Sequence, residues 1–250
     1  MSDMAQISAA PTTVTISAPP MPSSETPSPP IQATPQAPVV NEAHLAPEIE
    51  SRLAQMEEAG VFERATIEKF CLDRLRNLNA QHGCASLDAY EHIYRSGRIE
   101  KPSGFLCNII GAHQNAQDGQ TSTVYHVPPL EPILALKERT GFELDISTGQ
   151  RKLSSGEDEP PPHKDECFIG GLLREAFEPE IVEMLENSGL RLHELRLMMG
   201  YDGKSRGFAF ASFKDEDGCR QCKEKLDGHE ILGKRIVVNV STPATRLCFI

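Results

Sequence analysis

The sequence predicts an α+β protein in which a small all-α domain precedes a split βαββαβ unit. Three observations carry this. Apolar residues recur at helical spacing from about Pro47 to His113. From Glu166 to Thr242, runs alternating with period two are interleaved with two helical runs, in the order strand, helix, strand, strand, helix, strand. Polar and Pro-rich stretches set these two regions apart, one at the N-terminus and one from Ser154 to Lys164.

Residues 1–46 are dominated by Pro, Ser, Thr and Ala and contain no Lys or Arg. Such a segment cannot bury enough apolar surface to offset its ordering entropy, so it is expected to be a disordered tail. It shows no basic stretch followed by an apolar run, and nowhere does the chain approach the roughly 18 apolar residues of a membrane span. No membrane partner is expected. Seven cysteines, an odd number, lie scattered from Cys71 to Cys248. That lacks the dense spacing of a secreted disulfide scaffold and suggests a reducing compartment.

Residues 47–113 form the expected helical domain. Ile49, Leu53 and Met56 share one face; Ile67, Phe70, Cys71, Leu75 and Leu78 share a second; Phe105, Ile109 and Ile110 mark a third. Gly60, Gly83 and Gly97 separate the runs, and Pro102 suits a first helical turn. Residues 114–165 read as a linker holding a short helix, Leu130 to Arg139, and a hairpin-like appendage. In the latter, Phe142, Leu144 and Ile146 alternate with acids, and Ser147-Thr148-Gly149 turns into Gln150-Arg151-Lys152.

Within residues 166–242, strand one is expected over Cys167 to Leu172 and helix one over Glu178 to Asn187. Strand two follows over Leu192 to Met199, strand three over Arg206 to Phe213, helix two over Glu216 to Leu226 and strand four over Ile236 to Val240. The period of two places Ile169, Leu195, Leu197, Ala209, Phe213, Ile236, Val238 and Val240 on the helix-covered face. Phe168, Phe208 and Phe210 then stand on the opposite, open face.

Arg206-Gly-Phe-Ala-Phe-Ala-Ser-Phe213 matches the RNP1 pattern of the RNA recognition motif with Ala211 in place of Val. About forty residues earlier, strand one resembles the partner RNP2 pattern, with Phe168 at its aromatic position and Gly171 where Asn is common. In such a ferredoxin-like sandwich, exposed rings stack unpaired bases of single-stranded RNA. Arg206 is expected to meet a phosphate, and Arg196, Met198, Lys204 and Asn239 to line the same interface. Buried core would be the ordinary role of three phenylalanines, but the other face is already filled. A protein-interaction adaptor using the same sheet face is the alternative function.

The net charge of −11 and a sequence pI near 5.2 argue against non-specific phosphate binding, though not against local recognition. Cys219-Arg-Gln-Cys222 has the spacing of a redox or metal pair but falls on a predicted helix without a second pair, so structural cysteines are expected. The eight histidines form no metal spacing. No nucleophile–base–acid set and no phosphate-cradling glycine loop appears, so neither an enzyme nor a cofactor is expected.

With these motifs the chain resembles the heterogeneous nuclear ribonucleoprotein Q and R family, that of Syncrip. The likeness extends to Leu136-Lys-Glu-Arg-Thr-Gly-Phe-Glu-Leu-Asp-Ile-Ser-Thr-Gly-Gln-Arg-Lys152, to Leu195-Arg-Leu-Met-Met199 and to Gly228-His-Glu-Ile231. Leu53 to Ala112 is similar to that family's acidic helical domain. The resemblance implies binding of mRNA in processing, stability or translation, with other ribonucleoprotein components as partners, in the nucleus, the cytoplasm or both. Gly171 stands where the family has Lys, and Leu153-Ser154-Ser155 where it has Tyr-Gly-Gly. Arg246 to Ile250 resembles the opening of a second RNP2 strand, which implies that residues 243–250 begin a second motif cut short.

Overall fold

The computed structural model describes residues 44–121, 124–155 and 165–241. Residues 1–43 of the tail expected over residues 1–46, and the expected start of a second motif, lie outside these residues.

Four helices build the N-terminal unit: α1 (Pro47–Glu58), α2 (Lys69–Arg76), α3 (Ala80–Ser96) and α4 (Pro102–Gln117). Pro47 and Pro102 open α1 and α4, where a missing N–H costs nothing. Asn79 caps α3 by accepting from the His82 amide at 2.9 Å. Ile49, Leu53 and Met56 of α1 meet Leu87, Tyr90 and Ile93 of α3 and Phe105, Ile109 and Ile110 of α4 in one core. Phe70 departs from the expected face: it is 62% exposed, with the Arg74 guanidinium 5.8 Å from its ring centre. The two-turn helix α2 needs only Cys71 and Leu75, four residues apart, to fill its buried stripe. Cys71 is also bonded to Cys107, a pairing that their scattered spacing does not foretell, because it exists only once α2 lies against α4.

The second half contains α5 (Leu130–Thr140), β2 (Glu143–Ser147), β3 (Gln150–Ser154), β4 (Glu166–Gly170), α6 (Glu178–Asn187), β5 (Leu192–Met199), β6 (Ser205–Phe213), α7 (Gly218–Leu226) and β9 (Val237–Ser241). A two-residue strand β1 (Arg98–Ile99) precedes α4, and a small ribbon of β7 (Glu230–Ile231) and β8 (Lys234–Arg235) precedes β9. Helix α6 has the bounds expected from the sequence. Helix α7 starts two residues later than expected, at Gly218, where a Cβ would lie 2.4 Å from that of Phe213.

Seven strands form one sheet in the order β1-β2-β3-β5-β6-β4-β9. The hairpin expected to be an appendage within a linker is therefore part of the sheet. Strand β3 pairs antiparallel with β5 from Gln150↔Met198 to Ser154↔Glu194, and β1 adds a parallel rung to β2. The alternation of Leu144, Ile146 and Leu153 with polar neighbours supplies the reason. One side of the hairpin is apolar and is buried in the core shared with Ile93, Ile99, Ile133 and Leu136. That core runs without a break from α1 to β9.

Arg151 also faces inward. Its Nε donates to Glu178 Oε1 at 2.7 Å and its Nη2 to Oε2 at 3.2 Å, both side chains being almost fully buried. This pair fastens the hairpin to the first turn of α6. Of the eight residues expected on the helix-covered face, seven are buried; Val240 is 39% exposed because β9 is an edge strand.

Candidate nucleic-acid interface

On the face opposite α6 and α7, strand register sets the site. Phe168 lies opposite Phe210 on β6 and opposite Asn239 on β9; Phe210 lies opposite Arg196 on β5; Arg196 lies opposite Lys152 on β3. Lys152 in turn pairs with Asp145, and Asp145 with Arg98. One cross-strand row thus traverses all seven strands, from Asn239 through two phenylalanines to a run of charged residues. Adjacent strands are about 4.8 Å apart, so the row is roughly 29 Å long.

Phe168, Phe208 and Phe210 form a half-exposed triad with ring centres 5.7 to 6.0 Å apart. The neighbouring glycines shape it. A Cβ at Gly170 would fall 2.6 Å from the Phe168 ring, so only glycine lets that ring lie down along its own strand. At Gly171, φ is +79° and a Cβ would meet the Arg235 carbonyl oxygen at 2.7 Å. The backbone therefore explains the glycine that replaces a larger residue at the end of this strand.

The charged candidates divide into free and tethered. Arg206 lies with its guanidinium 5.0 Å from the Phe208 ring centre and has no carboxylate partner among the described residues. Arg196 sits 5.1 Å from the Phe210 ring centre, and its Nη2 is within 2.6 Å of both Glu166 oxygens; its Nε is 3.4 Å from Glu194. Lys152 is 3.0 Å from the other Glu194 oxygen. Lys204, in the β5–β6 loop, donates to Glu175 at 2.9 Å, and that hydrogen bond holds the Glu175 carboxyl below its ordinary range. Asn239 accepts from Lys223 at 3.3 Å. Met198 is half-buried opposite Gln150.

All eight expected site residues are thus placed; of the charged and polar ones only Arg206 has no ion pair or side-chain hydrogen bond among the described residues, and Phe210 lies under the tethered Arg196. Sequence reading missed Lys152, Glu166 and Glu194. The signal for Glu166 and Glu194 is their even spacing from Phe168 and Arg196 along their strands. Lys152 needed the unsuspected β3–β5 pairing.

The β5–β6 loop is pinned from behind: the His126 amide donates to the Asp202 carbonyl at 2.8 Å, and Gly203, at φ +78°, leaves room for the 125–126 backbone. Between this loop and α4 lies an open cavity of about 350 Å³ lined by Arg74, Asn108, Asn115 and Tyr201. Cys219 and Cys222 are buried, and among the described residues no cluster of His, Cys, Asp and Glu is arranged to hold a metal.

Residues 167–237 match the family model of the RNA recognition motif. This part of the chain is an RNA recognition motif. Over 220 residues, 82% of the chain, the sequence is 29% identical to human heterogeneous nuclear ribonucleoprotein Q, of which that stretch is 34%. Together with the motif, this homology fits the heterogeneous nuclear ribonucleoprotein Q and R family. The zebrafish "Probable RNA-binding protein 46" is 38% identical over 120 residues, 46% of this chain and 23% of the relative. Among solved structures, the second such domain of yeast poly(U)-binding protein aligns at 19% identity and a TM-score of 0.28, over 31% of this chain and 93% of that one. The chain spans about a third of the length of the curated ribonucleoprotein that it matches.

Proposed function

We propose that the protein binds single-stranded RNA, mRNA in particular, by stacking bases on Phe168, Phe208 and Phe210. It acts as a heterogeneous-ribonucleoprotein-type factor in mRNA processing, stability or translation, with other ribonucleoprotein components as partners, in the nucleus, the cytoplasm or both. The observation that carries the reading is the triad itself: three half-exposed rings meet on the open face of an RNA recognition motif, where core packing gives them no role. A base has a π-face whatever its identity, so the triad supplies affinity and leaves selectivity to its polar rim. The proposed activity is binding and requires no cofactor.

Phe208→Ala with Phe210→Ala tests this. Removing two stacks should weaken binding of a short single-stranded RNA by roughly 2 to 6 kcal/mol, at about 1 to 3 for each ring. The circular dichroism spectrum should be unchanged. Unaltered RNA affinity in a folded double variant would overturn the assignment and favour a peptide-binding adaptor.

A further inference from the structure

The aromatic patch is asymmetric. Both RNP1 rings carry a guanidinium above them, Arg206 over Phe208 and Arg196 over Phe210, at nearly the same distance. Arg206 is free to swing away. Arg196 is bound by both oxygens of Glu166, a residue two strands distant, so that the ion pair arches over β6 beside Phe210.

A base cannot stack on Phe210 unless the Arg196 guanidinium leaves that ring. Its departure strips the Glu166 carboxylate of two N–H donors while Phe210 is being covered and water excluded. Ionised carboxylates only accept hydrogen bonds, and an unpaired one in a desolvated position is costly. The ligand must therefore bring replacement donors.

We propose that Glu166 selects guanine as the base stacked at Phe210; this deepens the RNA-binding reading and rests on it. Guanine carries N1–H and the N2 amino group side by side, reproducing the paired donors of the guanidinium that it displaces. Adenine and cytosine set an amino group beside a ring-nitrogen lone pair, and uracil sets its single N–H between two carbonyls. Each of those three turns at least one acceptor towards the carboxylate. The displaced Arg196 becomes available to an RNA phosphate, a partner that its bidentate geometry suits.

The test uses the chain as it stands and uridine oligonucleotides about seven nucleotides long, within the usual site size. The central position carries uridine, cytidine, adenosine, guanosine or inosine, which is guanosine without the N2 amino group. Fluorescence anisotropy at constant salt should give tightest binding to the guanosine RNA. Its advantage over the uridine RNA should be roughly tenfold or more, with inosine between them. Glu166→Gln, which turns one acceptor into a donor, should cut that advantage to about twofold, while Glu194→Gln leaves most of it, Glu194 being the more distant partner.

Equal discrimination in wild type and Glu166→Gln overturns the proposal. So does a Glu166→Gln variant that binds all five RNAs more tightly by one common factor, since Glu166 then only repels phosphate. Absence of any guanosine preference in the wild-type chain, with binding still dependent on Phe208 and Phe210, would sink the base assignment and leave the stacking reading intact.

Discussion

Replacing Arg151 by Met removes one charge from a place where no water can replace it. In the folded chain Arg151 and Glu178 are 2% and 0% exposed, and the Arg151 guanidinium also lies 5.7 Å from the centre of the Phe177 ring. Methionine fills most of the same volume, so little is lost in packing. What remains is a buried carboxylate without its cation, a defect that costs about 3 to 5 kcal/mol in comparable settings. Glu178 is the first residue of α6, whose N-terminal dipole returns roughly 1 kcal/mol. The expected net loss is therefore about 2 to 4 kcal/mol. With a urea dependence of about 2 kcal/mol per molar, the denaturation midpoint should fall by roughly 1 to 2 M. Unfolding should stay a single transition, because the hairpin, the helices and the motif share one core. Arg151→Met with Glu178→Met should recover most of the loss, since an apolar pair leaves no charge unpaired. A single variant within about 0.5 kcal/mol of wild type, or a double variant as weak as the single one, would refute the idea that this pair fastens the hairpin to the motif.

Phe213→Ala should lower stability by about 3 to 5 kcal/mol, as truncation of a buried phenylalanine does, while Phe208→Ala, five residues earlier on the same strand and so on the open face, should melt close to wild type. Thermal unfolding of the two side by side checks the strand register. His113 is buried without a partner for either ring nitrogen among the described residues, and burial, reinforced by nearby His82, lowers its pKa from 6.5 to about 4. The folded chain holds this ring neutral where the unfolded chain protonates it. Stability should therefore be full above about pH 6.5 and decline as pH falls towards 4, by up to about 3 kcal/mol. His113→Leu should flatten that slope in pH-dependent urea unfolding.

The elements with strong local signals were legible in the sequence. Glu178 to Asn187 was readable as a helix because Ile181, Met184 and Leu185 repeat at helical spacing before Gly189. The RNP strands were readable because aromatic and small residues alternate in β6 and the other face needed filling. The hairpin was visible as a hairpin, yet nothing local distinguishes an appendage from a sheet extension. That choice is made by Arg151, whose burial depends on a glutamate 27 residues away. Likewise Arg196 was identifiable as an open-face residue from its parity on β5. Its capture by Glu166 depends on two non-adjacent strands, β5 and β4, being set on either side of β6. Strand β1 has two residues and no periodicity, so its parallel rung with β2 could not be foreseen.

The open face also reconciles an acidic chain with an RNA ligand. Along the seven-strand row, Arg98 is paired with Asp145, Lys152 with Glu194 and Arg196 with Glu166, so the basic residues nearest the rings are neutralised before any ligand arrives. Phosphate binding by counterion release needs cations that are free to engage, and each pair must first be broken to provide one. Arg206 is the exception beside Phe208. If bases stack on the triad as proposed, affinity at this face draws on stacking, which is indifferent to net charge, and the ion pairs act at a later stage. On the proposed reading they set the cost of admitting a base according to the donors it carries, so the carboxylates that tie up these cations are the groups that would make the sheet selective.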